Sequence, residues 1–131
     1  MTVVKVTTCS PDWPLAVQTP NGDGRWGDIE FRKDDDTDVC DWWIIGDDPT
    51  TTQTATCPPE RTVLITWEPP SCKPYPESFT RQFHHVITCH AEIKHPRKHI
   101  EQQGFGWHLR GISYRELQSS PDKTRSLSVI R

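Results

Sequence analysis

Apolar residues come in runs of two to five along this chain, separated by polar stretches rich in proline, glycine, threonine and aspartate. That spacing predicts short strands rather than long amphipathic helices. Thr2 to Thr8, TVVKVTT, alternates loosely and predicts a first strand. Pro11 and Pro14 close it, and Trp13 between them packs a loop onto the core. Asn21-Gly22 and Asp23-Gly24 signal turns. Asp28 to Arg32 predicts a short edge strand. In Val39 to Gly46, VCDWWIIG, residues Trp42 to Ile45 predict a buried strand. Trp42 and Trp43 then face opposite sides of the sheet, so both faces need cover, which suits helices on each side.

The central run is Arg61 to Ser71, RTVLITWEPPS. Thr62 to Trp67 predicts a core strand, and Pro69 and Pro70 end it because neither has an N–H for the ladder. The threonine-rich stretch before it predicts an irregular crossover, since threonine is a poor helix former. After it, Pro76 and Glu77 suit the first turn of a helix, whose Phe79 and Phe83 share one face. His84 to His90 predicts the next strand. Strand, short helix, strand is the unit that builds a parallel sheet with a right-handed crossover. His95 to His99 predicts a basic turn, and Phe105 and Trp107 anchor a glycine-containing segment up to Gly111. Ile112 to Ser120 predicts a helical turn, and Ser126 to Ile130 a last strand. The expected architecture is an α/β, Rossmann-like, three-layer domain with a mostly parallel sheet, spanning residues 1–131 as a single unit.

Composition narrows this reading. The 131 residues suffice for one domain with a real core. Only 33% are hydrophobic and 12 are proline, which predicts long irregular connections. A net charge of -3 gives no general attraction to nucleic acid. Met1 to Lys5 lacks a signal-peptide layout, and no apolar run reaches the roughly 18 residues of a membrane span. The expectation is a soluble, cytoplasmic protein, at most peripheral to a membrane. Five cysteines at wide spacings, with no Cys-x-x-Cys, argue for plain thiols over a disulfide framework or structural zinc.

Candidate chemistry begins with Glu68, at the carboxyl end of the central strand, where open α/β sheets bind ligands. A carboxylate there is placed to take a proton from an incoming hydroxyl. Lys33 to Asp38, KDDDTD, holds four acids in six residues but lacks the glycine and distal glutamate of a calcium loop, so a solvated loop is expected. The six histidines fall between 84 and 108, without a His-Glu-x-x-His arrangement. A metal-dependent enzyme built on these histidines and acids is the weakest of three readings, and no metal is expected.

Trp67-Glu68-Pro69-Pro70-Ser71, Tyr75, Phe79 with Phe83, Val86-Ile87-Thr88, His95-Pro96, Gly106-Trp107, Gly111, Lys123 and Ser126 to Ile130 follow one another in an order that resembles the amino-terminal domain of fucosyltransferase-like inverting glycosyltransferases. The upstream VCDWWIIG is similar to the Asp-Trp strand of that family. The similarity spans roughly Asp38 to Arg131 through short motifs. It implies one of two Rossmann-like domains facing a cleft. The amino-terminal domain meets a glycan or glycolipid acceptor, and a nucleotide-sugar domain is expected carboxyl-terminal to residue 131. The resemblance implies Glu68 as general base. Trp67, Tyr75 and Trp107 are the expected apolar acceptor contacts, and His90 and His95 the expected hydrogen-bonding ones. No cofactor is expected: the nucleotide sugar is a donor substrate held by the other domain, so this domain alone is inactive. The alternative is a non-catalytic carbohydrate-binding or interaction module on the same kind of sheet.

Overall fold

The computed structural model describes residues 1–102 and 112–119. Seven strands form one sheet: β1 (Thr2–Thr8), β2 (Arg25–Trp26), β3 (Ile29–Lys33), β4 (Trp42–Gly46), β5 (Thr62–Ile65), β6 (His85–Thr88) and β7 (Lys98–Ile100). Their order is β2-β3-β1-β4-β5-β6-β7. Every pairing is parallel except β2 with β3. The domain is α/β and Rossmann-like, with a mostly parallel sheet, as the alternation of apolar runs and long connections predicts.

The register explains the core. Ile45, Leu64 and Val86 stand side by side on adjacent strands, and side-chain period two sends them to one face. Leu64 and Val86 are 0% exposed, and Trp43, Phe79 and Phe83 pack against this cluster. Phe79 and Phe83 meet edge to face at 5.3 Å. Trp43 donates its indole N–H to Thr7 Oγ1 at 2.9 Å. Trp42, pointing the other way, lies under the Arg61 guanidinium at 5.8 Å.

Helices are scarce. α1 (Glu77–Thr80) and α2 (Tyr114–Leu117) have four residues each, and two 3-10 turns occupy Leu15–Gln18 and Pro59–Arg61. Cover over the faces comes mainly from irregular segments, because the threonine- and proline-rich connections have little helix propensity. α2 has a capping box: the Ser113 hydroxyl accepts the Glu116 amide, and the Glu116 carboxylate takes the Ser113 amide. Arg115 donates to Asn21 Oδ1 at 2.7 Å, tying α2 to the Asn21 turn.

β4 starts at Trp42 as expected, Asp41 before it turning its carboxylate onto the Val3 amide at 2.8 Å. Other boundaries move for identifiable reasons. β5 stops at Ile65, two residues before Trp67. Part of the expected basic turn is edge strand β7, three residues too short to show periodicity. The acid loop is not wholly free. Lys5, 3% exposed, donates to the carbonyls of Asp35 and Thr37 at 3.0 and 2.8 Å. Asp34 accepts from the Thr8 amide and hydroxyl at 2.6 and 2.8 Å. The segment around Phe105, Trp107 and Gly111 and the strand expected at Ser126 to Ile130 lie outside the described residues. Among the described residues no helix is long and apolar enough to cross a membrane.

Candidate functional site

A parallel sheet delivers all its strand ends to one edge. Here that edge collects Thr8 at the end of β1 with Cys9 after it, Asp34 after β3, Asp47 after β4, Trp67 and Glu68 after β5, and Cys89 and His90 after β6. The chain leaves β1 for β3 on one side and then crosses to β4 on the other. That reversal opens a crevice between the carboxyl ends of β1 and β4. A cavity of about 270 Å³ lies there, its walls including Thr8, Cys9, Asp34, Thr50, Thr51 and Gln53. A larger one, about 430 Å³, sits over Trp43, Ile45, Phe79 and Phe83 on the sheet face. Glu68 lines neither of the two. The smaller is the better candidate for a ligand crevice, because it lies at the edge where strand ends gather polar groups.

Glu68 is held by its backbone. Its carbonyl accepts from His90 Nε2 at 2.8 Å, and its amide donates to the Tyr75 hydroxyl at 3.4 Å. Its half-buried side chain makes no hydrogen bond or ion pair among the described residues. His90 is 0% exposed, and its Nδ1 faces Glu92 Oε1 at 2.8 Å. Both ring nitrogens face oxygen acceptors, so both bonds form together only in the doubly protonated ring. The Tyr75 ring stands edge-on to His90 at 5.1 Å. The Glu92 carboxyl is held below the usual range by its own backbone amide and then by His90.

Beside this lies a hub that the sequence reading missed. Asp47, 6% exposed, accepts a short hydrogen bond from the Tyr75 hydroxyl and pairs with Lys73 Nζ at 3.1 Å. The Cys9 thiol donates to its second oxygen at 3.5 Å. Asp47 has a φ of 64°, a left-handed conformation that aspartate tolerates better than most residues. It follows Gly46, where an added Cβ would lie 2.5 Å from the Trp67 ring. Glycine lets the indole lie on the β4 backbone, and Trp13 meets that indole edge-on at 5.5 Å. An acid straight after a strand-ending glycine, followed by Asp48-Pro49, reads locally as a turn. Its partners sit 26 to 38 residues away in the chain.

The structure thus brings together Glu68, Trp67, Tyr75 and His90. His95 is apart from them: its Nε2 lies 3.0 Å from the Phe83 carbonyl, and its Nδ1 accepts the Arg97 amide, at the amino edge of β6 and β7. Trp107 lies outside the described residues. Tyr75 and His90 are buried, with every polar side-chain atom engaged, so their geometry is that of residues positioning Glu68. Among the described residues no group of three or more histidine, cysteine or acidic side chains is arranged to hold a metal ion.

The hub makes stability sensitive to alkali. Burial, and then donation to Asp47, push the Tyr75 hydroxyl above the ordinary phenol range. Burial, then Asp47, likewise raise the Cys9 thiol, and burial, then Cys40, push Cys57 up to about 12. Groups raised in the folded state keep protons that the unfolded chain releases. Their contribution is complete below the ordinary values and is lost as pH climbs through the raised ones. The expected result is a urea midpoint that falls steadily above about pH 9, the ordinary thiol range. A midpoint flat to pH 11 contradicts this account. Tyr75→Phe is expected to remove the part of the fall above about pH 10.

No family model, curated protein or solved structure matches the chain.

Proposed function

We propose that this chain is the acceptor-side domain of a two-domain, fucosyltransferase-like inverting glycosyltransferase, with Glu68 as general base. The observation carrying this reading is the state of Glu68. Its backbone is pinned on both sides by buried groups, while its carboxylate, at the ligand-binding edge of a parallel sheet, has no side-chain partner among the described residues. Rigid support with an uncommitted carboxylate is what a general base requires.

In the reaction, the acceptor hydroxyl gives its proton to Glu68 as its oxygen bonds to the anomeric carbon of the donor sugar. The bond from that carbon to the diphosphate oxygen breaks, the nucleoside diphosphate leaves with the electron pair, and the configuration inverts. The half-buried Trp67 indole beside Glu68 supplies apolar surface for the acceptor sugar. His90 and Tyr75 hold the Glu68 backbone, and Asp47 holds Tyr75. The donor belongs to a second, nucleotide-sugar-binding domain, and a cytoplasmic setting suits access to nucleotide sugars.

The hydroxyl- and amide-lined crevice at the β1–β4 reversal favours a second reading, a carbohydrate-binding module without transfer activity. One assay separates the two. The product of the whole reading frame containing these residues is incubated with GDP-fucose and other nucleotide sugars over a panel of glycan acceptors. Transfer with inversion is expected. Glycan binding without transfer selects the binding module, and neither binding nor transfer removes both.

A further inference from the structure

We propose that His85 and His99 form a surface chelate for a divalent transition-metal ion of the zinc, copper or nickel type, separate from the Glu68 edge. The parallel register sets Val86 opposite Lys98 and Ile87 opposite His99. Period two then places His85 and His99 on the same face, as diagonal neighbours on adjacent strands. Their rings are 5.6 Å apart and tilted by 36°, and His85 Nδ1 stands 3.4 Å from His99 Nε2.

That separation suits a metal as well as a hydrogen bond. An ion about 2.0–2.1 Å from each nitrogen would see the pair at an angle of about 110°, close to tetrahedral. Imidazole nitrogens are the preferred ligands of zinc, copper and nickel, and neutral rings are the ones that bind. The adjacent Arg97 and Lys98 are cationic and oppose a bound cation, so the site is a modest one. Two further coordination positions are left to water or to an external ligand. His95 takes no part, since both of its nitrogens are engaged elsewhere. The site consists of two imidazoles on two neighbouring strands, so its formation does not depend on what Glu68 does.

The test is titration of the whole chain with zinc chloride and, separately, with copper(II) chloride. Binding is followed by calorimetry, by the imidazole C–H signals in proton NMR, and for copper by electron paramagnetic resonance. One equivalent is expected to bind, shifting the signals of His85 and His99, with two nitrogens coupled to the copper. His85→Gln and His99→Gln each remove one of the two imidazole ligands and are each expected to weaken binding by more than the roughly tenfold that losing an outer-shell support costs. The double variant should then be little worse than either single one. Both lie on exposed or half-buried positions of short strands, and circular dichroism confirms the fold of each variant. Binding that survives both substitutions, shifts confined to other histidines, or no saturation below millimolar metal would each overturn the proposal.

Discussion

On the proposed glycosyltransferase function, Glu68→Gln is expected to lower turnover of the full-length protein by about 10²- to 10⁴-fold, the usual contribution of a positioned general base. Donor and acceptor binding should be nearly unchanged. Glutamine has almost the same shape and keeps an acceptor oxygen, but it cannot take the acceptor's proton. The substitution is structurally mild, because the contacts securing this residue run through its backbone: His90 to the carbonyl, and the amide to Tyr75. kcat should therefore fall while KM and the calorimetric affinity for the donor hold. Glu68→Asp pulls the carboxylate back by one methylene and is expected to keep partial activity. Turnover of Glu68→Gln within a few-fold of wild type would remove Glu68 as the base and leave the binding-module reading in place. Loss of donor affinity together with turnover would point to a damaged fold instead.

The parts of this site that follow from local pattern were legible in the chain itself. Thr2–Thr8 has the predicted bounds, because a strand with one or both faces buried writes its own alternation. The carboxyl-edge position of Glu68 follows from a β-branched run stopped by two prolines. The helix starting after Pro76 follows from proline and an acid in the first turn. Less was legible wherever a residue's role depends on distant partners. Asp47 is ordinary until the sheet brings Cys9, Lys73 and Tyr75 to it. Trp67 invites a stacking role, yet it also fills the space over Gly46, and only the missing side chain at position 46 hints at this. His90 and His95 look alike in sequence but stand at opposite edges, because one follows β6 and the other precedes β7. Cover by helices on both faces was expected from the paired tryptophans. Helix propensity in the connections was too low for it, and irregular segments do most of the covering.

Replacing Asp47 is expected to give the largest loss of stability among substitutions at this edge, and a short series separates the causes. Asp47→Ala removes the acceptor of the buried Tyr75 hydroxyl and leaves alanine at a φ of 64°. The orphaned hydroxyl costs about 1–3 kcal/mol and the left-handed backbone about 1 kcal/mol. The Lys73 pair adds little, because that ammonium is about a third exposed and solvent screens it. The expected total is about 2–4 kcal/mol in urea unfolding. Asp47→Gly should recover about 1 kcal/mol of that, since glycine accepts positive φ without strain. Asp47→Asn keeps both the backbone tolerance and an acceptor for Tyr75, losing only the charge, and should be the mildest of the three. The stability order is then wild type, Asn, Gly, Ala. The alkaline response gives an independent check: with no carboxylate to hold the Tyr75 proton, the fall above about pH 10 should shrink in the Ala and Gly variants. If Asp47→Ala unfolds within about 0.5 kcal/mol of wild type, the range of an ordinary surface substitution, Asp47 is not the hub its contacts describe. In that event Tyr75 reaches the Glu68 amide without its help, and Tyr75 and His90 hold the Glu68 backbone independently of Asp47.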